Sequence, residues 1–411
     1  MLVADWKPAK LDELGFVGRG KSRHRPRNAT FLYGGRYPFF QTGDIKAANF
    51  YLTEYSQTYS EEGLAQSKLW KPGTLCITIA ANIAESAILG IEGCFPDSVV
   101  GFVADPEKAD VRFIKYYIEI LKLRMQNVSH GATQDNLSVD KLLSFDFLVP
   151  PLPVQQSIVG ILSAYDELIE NSQRRIKILE SMARALYREW FVHFRFPGHE
   201  NHPRVASPLG KIPQGWEAIA FTEIADVLSG GTPKTSTPEY WDGDIPFFTP
   251  RDAPDCFYVK DADKHVTKLG LSKCASQLYP PDTVFITARG TVGKVALPSV
   301  PMAMNQSCYA LRGKSGISQR FLFLMTLQQV EYLKINTGGA TFDTIVVDTF
   351  RRMQIAKPPH NLIAAFTRNI DAVFEQVNTL QRQVQNLRRT RDLLLPRLLS
   401  GQIDVEALDH A

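Results

Sequence analysis

The chain is 411 residues long, and the second half of its sequence repeats features of the first half. The segment NVSHGATQDN at 127–136 returns as INTGGATFDT at 335–344, an offset of 208 residues. FLVPPLP at 147–153 returns as IAKPPHN at 355–361 with the same offset of 208. Self-similarity at a nearly constant offset indicates a tandem duplication, here of a unit of about 200 residues. Any fold proposed for one half must therefore also suit the other.

The first part of each repeat, about 150 residues, has the pattern of a globular domain. Short apolar runs, such as TLCITIA at 74–80 and TVFITA at 283–288, are bounded by Pro, Gly and Asp. Helical periodicity is scarce in these parts. The pattern predicts an α+β or mostly β domain with long loops in each repeat.

The second part of each repeat predicts one long helix. Stepping alternately by four and three from Ile158, and again from Phe366, nine of ten positions are apolar in each series. Such a sustained heptad pattern predicts that the two helices pair as a coiled coil; two amphipathic helices on separate local cores are the alternative. The pairing residues predicted are Ile158, Leu162, Ile169, Ile176, Leu179, Leu186, Ile370, Val373, Val377, Leu380, Val384 and Leu387. The polar exceptions, Ser172 and Arg391, either set the register or, for Arg391, lie on a solvated edge.

We predict that the two helices are antiparallel. This arrangement places one globular domain at each end, related by an approximate two-fold axis, whereas a parallel pair requires the second domain to run the length of the first helix. Each helix is expected to begin after a Pro-Pro pair, since residues preceding proline avoid helical geometry. The predicted divisions are a first globular domain at 1–150, a first helix at 151–195, a linker at 196–214, a second globular domain at 215–359, and a second helix with its tail at 360–411.

Composition excludes several classes of protein. The formal net charge of +3 is nearly neutral, which leaves room only for local basic surfaces. The five cysteines are far apart and have no zinc-ligand spacing, so neither a disulfide framework nor a metal site is predicted. No signal peptide or membrane-spanning run is evident, which predicts a cytoplasmic protein with no membrane partner.

The stretch GFVGRGKS at 15–22 matches the phosphate-binding P-loop pattern, but its surroundings argue against that function. A P-loop follows a buried strand and opens a helix, whereas RHRPRNATFLYGG follows here. The corresponding stretch of the second repeat, ADVLSGGTPKTS at 225–236, lacks the G-K-[ST] order. We find no convincing methyltransferase, nuclease or metal-hydrolase pattern elsewhere, so we predict no catalytic residue and no cofactor in this chain.

The charges around the motif predict contact with a polyanion, with a solvated basic loop as the alternative. Cationic loops neutralise DNA phosphates and release counterions. Hydrogen-bonding residues in turns after equivalent strands could read base edges. The GGAT turn at 338–341 and its twin are either tight turns or ligand contacts. The DNA-binding residues predicted are Arg19, Lys21, Arg23, Arg25, Arg27, Gln41, Asp44, Gln134, Lys234, Thr249, Arg251, Asp252, Arg289, Lys294 and Thr341.

With the duplication and the paired helices, the chain resembles the specificity subunits of type I restriction–modification systems. The resemblance covers essentially the whole chain. DELIENSQRRIKILESMARALYREWF at 166–191 is similar to the central conserved helix of that family, and RDLLLPRLLSGQIDV at 391–405 to its distal helix. IADVLSGGTPKT at 224–235, followed by PFFTPRD at 246–252, is similar to the opening of its target-recognition domain.

The resemblance implies a non-catalytic subunit that recognises double-stranded DNA. Each globular domain would read one half of a bipartite target, and the helices would set the spacing of the half-sites and dock two modification (methyltransferase) subunits. Restriction (translocase–nuclease) subunits would join for cleavage, and S-adenosylmethionine, ATP and Mg²⁺ would belong to those partners. The first domain departs from the family pattern because the arginine-rich VGRGKSRHRPR replaces the SGGTPKT loop.

Overall fold

The structure is a computed structural model that describes residues 6–130, 136–336 and 344–405. It divides into two compact units, of which the first comprises residues 1–170 and 385–411 and the second residues 171–384. Among the described residues, no helix combines the length and the apolar character needed to cross a membrane.

The elements of the two repeats follow a similar order along the chain, although their short helices differ and the second repeat has one additional short strand. Those of the first repeat are β1 (Lys7–Ala9), β2 (Gly15–Arg19), β3 (Tyr33–Phe39), α1 (Thr42–Ala47), β4 (Tyr51–Leu52), β5 (Gln57–Tyr59), α2 (Glu61–Ala65), β6 (Leu75–Thr78), β7 (Ser86–Leu89), β8 (Val99–Ala104), α3 (Val111–His130), α4 (Val139–Leu143), β9 (Phe147–Val149) and α5 (Leu152–Tyr187). A hairpin of β10 (Arg204–Ser207) and β11 (Gly210–Pro213) follows. Those of the second repeat are β12 (Glu217–Ala220), α6 (Phe221–Ile224), β13 (Ala225–Ser229), β14 (Trp241–Phe248), β15 (Tyr258–Val259), β16 (His265–Val266), α7 (Lys268–Ser272), β17 (Val284–Thr287), β18 (Val295–Pro298), β19 (Ala303–Met304), β20 (Cys308–Gly313), α8 (Gln319–Asn336), α9 (Val347–Arg352), β21 (Gln354–Lys357) and α10 (His360–Leu399).

Each unit is built on a five-stranded sheet with the same strand order. The order is β2-β8-β6-β7-β4 in the first unit and β13-β20-β17-β18-β15 in the second, so the strands correspond one to one. The predicted α+β duplication is therefore confirmed. The middle strands β6 and β17 are buried along their whole length, as their uninterrupted apolar sequences require.

The long helices begin where the sequence predicts. The helix α5 starts directly after Pro150–Pro151, and α10 starts directly after Pro358–Pro359. They contain 36 and 40 residues respectively, and α10 ends just before Gly401, which has a positive φ of 70°. Glycine accepts this left-handed conformation without the steric penalty of a Cβ, which makes it a common residue just beyond a helix end.

Within each unit the two helices run in opposite directions. In the first unit, Ile158 and Leu162 near the start of α5 share one core with Leu398 at the end of α10, and Asp166, further along α5, contacts Arg391, which lies earlier on α10. In the second unit, the end of α5 meets the start of α10, where the rings of Tyr187 and Phe366 lie 6.0 Å apart. The predicted antiparallel course is thus observed in both units.

Burial of the predicted pairing residues follows the heptads closely. Eight of them are buried: Ile158, Leu162, Ile169, Ile176, Ile370, Val377, Leu380 and Val384. Ser172, the polar exception in the first helix, is buried as well. The remainder, Leu179, Leu186, Val373 and Leu387, are half-buried. Removing these side chains from water stabilises the helices chiefly through apolar burial.

The segment between the repeats, predicted as a linker at 196–214, contains folded structure. Its strands β10 and β11 pair in antiparallel register, from Arg204 opposite Pro213 to Ser207 opposite Gly210. The ring of Phe196 stacks on Trp216 with centroids 5.8 Å apart, which fixes the segment to the start of the second recognition domain. Aromatic packing of this kind overrides a polar loop composition.

Arg391, the other polar exception, joins three elements of the first unit. Its guanidinium lies 2.5 Å from Oδ1 of Asp166, so it links α10 to α5. The other carboxylate oxygen of Asp166 accepts a hydrogen bond of 2.6 Å from the hydroxyl of Tyr116 on α3. Burial and this hydrogen bond raise the pKa of Tyr116, so its hydroxyl stays a donor. The contacts favour the register interpretation of Arg391 over the solvated-edge one.

We expect Tyr116→Phe to lower the free energy of unfolding of the first unit by about 1.5–3 kcal/mol, because a buried carboxylate loses a charge-assisted hydrogen bond. Denaturant titration of the whole chain measures this. Tyr37→Phe is the matched control: its hydroxyl also contacts a carboxylate, but that of Glu61, whose side chain is 68% exposed. An effect as large for Tyr37→Phe as for Tyr116→Phe would contradict the assignment.

Candidate nucleic-acid interface

The loop after β2 carries the GKS sequence, and it lacks P-loop geometry. The amide of Gly20 donates to the carbonyl of Val99 at 2.9 Å, and that of Lys21 to the carbonyl of Phe95 at 3.1 Å. The chain then continues irregularly into a short 3-10 turn and β3, and the first α-helix begins only at Thr42. Since no helix N-terminus follows the loop, its backbone amides cannot form the phosphate cradle of a P-loop.

The glycine of this motif has a packing function that its counterpart in the second repeat shares. A Cβ on Gly20 would lie 2.3 Å from the carbonyl oxygen of Pro96, and one on Gly230 would lie 2.0 Å from the carbonyl oxygen of Asn305. Both glycines therefore allow the chain after the first strand of the sheet to pass close to the segment before the last one. This shared constraint, rather than nucleotide binding, explains the motif's second glycine.

Three of the five predicted cations of the loop converge on one aspartate, Asp97. The terminal nitrogen Nη2 of Arg27 lies 2.9 Å from both carboxylate oxygens of Asp97, and Nη2 of Arg25 lies 4.0 Å from one of them. Arg19 donates from Nε to the backbone carbonyl of Asp97. The side chains of Arg25 and Arg27 remain 55% and 52% exposed. Their guanidinium groups are held in place, yet about half of each side chain remains accessible from solvent.

The other two cations of the loop are differently placed. Lys21 and Arg23 are exposed, and the described part of the chain offers their side chains no ion pair. The backbone beneath them is nevertheless fixed, because the amides of Arg23 and His24 both donate to Oε1 of Gln66, at 2.5 and 2.9 Å. Long, solvated cations on a fixed backbone suit phosphate contacts, which need charge more than direction.

An open groove with a volume of ≈ 620 Å³ connects the basic loop to the turn after β3. Polar side chains from both segments line it, and Gln41 donates to Oε1 of Gln57 at 2.7 Å across its floor. The groove brings together Arg27 and Gln41, which the sequence could only propose separately. Its lining residues include Ser22, Arg27, Asn28, Tyr33, Gln41 and Gln57.

Asp44 and Asp252, predicted as base readers, hold the backbone in equivalent turns. Oδ2 of Asp44 accepts the amide of Gln41 at 2.8 Å, and Oδ2 of Asp252 accepts that of Thr249 at 2.7 Å. Oδ1 of Asp252 also accepts the amide of Asp263 at 2.9 Å. These carboxylates shape the turns, as capping residues do. The hydroxyl of Thr249 also donates to Oδ2 of Asp252, at 2.6 Å, whereas Gln41 lines the groove.

In the second unit, the predicted cations again divide into exposed side chains and a side chain paired with an aspartate. Lys234, Arg251 and Arg289 are exposed, without an ion pair among the described residues. Lys294 is instead half-buried and paired with Asp255. The turn that carries Arg289 lies beside the 249–252 turn, since a Cβ on Gly290 would be 3.8 Å from Cβ of Pro250. The structure thus brings Arg251 and Arg289 to one surface.

Gln134 and Thr341 lie outside the described residues. The residues that follow those two segments are attached equivalently in the two units. The amide of Leu137 donates to the carbonyl of Ile79 at 2.8 Å, and that of Ile345 donates to the carbonyl of Ala288 at 3.0 Å.

Sequence reasoning missed Asp97, which organises the arginines. Asp97 lies about 70 residues beyond them and within no motif, so local patterns could not assign it. The repeat offered a signal, because Asp97 aligns with Gln306 at an offset of 209 residues. A charge present in one copy and absent in the other marks a position where the two copies differ in chemistry.

The described residues show no arrangement suited to covalent or metal chemistry. Burial raises the pKa of the Cys256 and Cys94 thiols to about 11 each, and those of the other two buried thiols, Cys76 and Cys308, still further. Such thiols are poor nucleophiles at neutral pH. Among the described residues, no group of three or more His, Cys, Asp or Glu side chains could hold a metal ion.

Comparison with known proteins identifies the class of protein that this fold and surface define. The family model described as the type I restriction modification DNA specificity domain matches twice, at residues 4–181 and 213–386. The chain belongs to this family: it is a type I restriction–modification specificity protein with two tandem specificity domains.

Individual relatives agree with this assignment. The specificity subunit of the type I restriction enzyme HindI from Haemophilus influenzae is 24% identical over 98% of this chain and 100% of its own length. That of MjaIX from Methanocaldococcus jannaschii is 32% identical over 36% of each chain. The crystal structure of the S subunit from M. genitalium matches 96% of both chains with a TM-score of 0.59 and 16% identity, which supports the fold.

Proposed function

We propose that this chain is the DNA-recognition subunit of a type I restriction–modification complex, in which each globular domain reads one half of a bipartite target. The observation that carries this proposal is the contrast between equivalent loops. Two domains with the same sheet order present different chemistry after the first strand of the sheet: an arginine cluster on Asp97 in the first, and in the second a Gly-Thr-Pro loop with a single cation, Lys234. Equal scaffolds with unequal loops suit two different half-sites.

The helices support a role in setting the distance between half-sites. At about 1.5 Å per residue, 36 residues of α5 extend about 54 Å, which exceeds the ~34 Å turn of B-DNA. The length of the helices would then determine how many base pairs separate the half-sites, and the sequence of those spacer base pairs would not matter. The contacts of Tyr116 and Arg391 with Asp166 hold α5 and α10 in one register, and a fixed distance between the half-sites depends on that register.

The helices also offer surface to protein partners, which we propose are two modification (methyltransferase) subunits. Apolar side chains on α5 and α10 are exposed in both units: Leu168 (53%) and Leu393 (63%) in the first, Ile178 (53%) and Met182 (56%) in the second. Exposed apolar side chains on paired helices are typical of docking surfaces. Methylation with S-adenosylmethionine, and cleavage driven by ATP and Mg²⁺ in restriction subunits, belong in this proposal to the partners.

Mapping methylation in DNA by the reconstituted complex tests the proposal. We expect the wild-type complex to methylate a target with two specific segments and a spacer of fixed length but free sequence. Exchanging residues 1–150 for the first domain of a relative with another target should change one segment only. A change in both segments would contradict the division of labour between the domains.

A scaffold that never contacts DNA is the competing function. A gel-shift titration of the complex with its methyltransferase partner, repeated at several salt concentrations, separates the two. Binding that weakens steeply with salt supports DNA contact through cations such as Lys21. A complex that forms with the methyltransferase but gives no shift at any salt concentration would favour the scaffold.

A further inference from the structure

The position of Asp97 is occupied by different side chains in the two repeats, and each fits its own loop. The next residue makes the same bond in both units: the carbonyl of Ser98 accepts the amide of Ile79 at 2.9 Å, and that of Ser307 accepts the amide of Ala288 at 2.7 Å. Asp97 and Gln306 are therefore structurally equivalent. Asp97 holds arginines, whereas the amide oxygen of Gln306 accepts a hydrogen bond from the hydroxyl of Thr232 in the corresponding loop, which has no arginine.

Arg27 is the arginine whose guanidinium is hydrogen-bonded to the carboxylate of Asp97. One terminal nitrogen meets both oxygens of Asp97 at 2.9 Å, and its backbone carbonyl accepts a hydrogen bond of 2.7 Å from the hydroxyl of Tyr33. The side chain is 52% exposed and lines the open groove. A guanidinium has five N–H donors, so the contact with Asp97 leaves donors for a ligand in the groove.

The carboxylate of Asp97 makes a phosphate an unfavourable ligand for this guanidinium. Asp97 offsets the charge of Arg27 only in part, since Arg25 lies 4.0 Å from the same carboxylate, but a second anion at Arg27 would still lie close to the first. A base edge is neutral and offers acceptors without that repulsion. Guanine presents O6 and N7 side by side, the pair that arginine reads most often. The exposed Lys21 and Arg23 have no such carboxylate beside them and suit the phosphates better.

On the basis of the proposed function, we infer that Asp97 is a positioning residue that presents Arg27 to a guanine in the half-site read by the first domain. A side chain already fixed in its binding orientation loses less conformational freedom on binding. It also discriminates more sharply between bases, because it cannot turn toward another acceptor. The second domain, with Gln306 at this position, reads its half-site without an arginine at the equivalent place.

The test compares Asp97→Asn, Arg27→Lys and the control Lys21→Ala, each in the full complex, on DNA randomised in the half-site of the first domain. We expect Asp97→Asn and Arg27→Lys to lose preference for guanine at the same single position, by about 5- to 150-fold. The other half-site should not change. Lys21→Ala should weaken binding to all sequences equally and reduce the salt slope by about one phosphate contact.

Other results would overturn the inference. If Asp97→Asn and Arg27→Lys weaken binding to all sequences equally, Arg27 contacts phosphate. If neither variant changes the base preference, Arg27 does not read the target. Should Asp97→Asn fail to fold, Arg27→Lys decides alone, since the altered group is exposed. A wild-type complex without any bipartite preference would instead overturn the proposed function, and that outcome is visible before any variant is made.

Discussion

Replacing Gly20 by alanine is expected to lower the free energy of unfolding of the first unit by about 3 kcal/mol or more. A Cβ at this position would lie 2.3 Å from the carbonyl oxygen of Pro96 and 2.5 Å from that of Phe95. Both atoms belong to the backbone, so no side chain can move aside to relieve the overlap. The loop and the segment before β8 would have to separate. The hydrogen bonds from the amides of Gly20 and Lys21 to the carbonyls of Val99 and Phe95 would then be lost.

Gly43→Ala is the control for this experiment. Gly43 also lies in the first unit, but a Cβ there would meet nothing within 4 Å, and its backbone φ is not positive. Because alanine favours a helix over glycine, we expect Gly43→Ala to leave stability unchanged or to raise it by up to about 1 kcal/mol. Urea titrations of both variants measure the difference. A Gly20→Ala protein as stable as wild type would show that the close approach is not required.

A second large effect is expected from Glu180→Gln, which should stabilise the second unit at pH 8 by up to about 3 kcal/mol. Glu180 is only 6% exposed, and its carboxylate accepts the amide of Phe257 at 2.7 Å. Burial raises the pKa of Glu180 to about 7, although that hydrogen bond and Arg184 oppose the shift. Glutamine keeps an acceptor for Phe257 and removes the cost of burying a charge.

The sign of the pH dependence follows from which state holds the proton. Between the ordinary pKa of 4.5 and about 7, the unfolded chain has lost the proton of Glu180 while the folded chain retains it. The folded state therefore binds more protons, and the free energy of unfolding falls as the pH rises through this window. Burial lowers the pKa of Lys260 to about 8, so that residue acts mainly above this window.

Denaturant titrations of wild type and Glu180→Gln at pH 5 and pH 8 test this expectation. The two proteins should be similar at pH 5 and should differ at pH 8, with the variant more stable. Glu331→Gln is the control, because Glu331 is exposed in the same unit and should behave as wild type at both pH values. A variant less stable than wild type at pH 8 would mean that Glu180 is ionised in the folded protein and stabilises it through Arg184.

The start of each long helix and its buried face could be predicted because each has a cause in the local sequence. The antiparallel course followed from the globular domain that lies between the two helices along the chain. Heptads specify the buried face of a helix, and the Pro-Pro pairs specify where each helix begins. The fold of the segment between the repeats could not be predicted in this way. Its polar sequence gives no sign that Phe196 stacks on Trp216, a contact between residues 20 positions apart.

The candidate interface was predictable in composition, though not in organisation. The sequence locates five cations between Arg19 and Arg27, and the structure separates them into those held by Asp97 and those that extend freely. Likewise, Asp44 and Asp252 look like base readers in sequence, yet their oxygens are occupied by backbone amides. Which polar groups remain available depends on tertiary hydrogen bonds, and these leave no local pattern.

The pairing of Asp97 with arginines distant in sequence bears on how recombination can transfer this arrangement from one domain to another. A recombination event that moved only residues 19–28 into the second domain would set several arginines beside Gln306, which has no charge to balance them. Moving Asp97 alone to the position of Gln306 would leave a carboxylate without an arginine to pair with. Both partners stay together only on an exchanged fragment that extends at least from Arg19 to Asp97. The distance along the chain between loop and counterion thus sets the smallest fragment that transfers the arrangement intact.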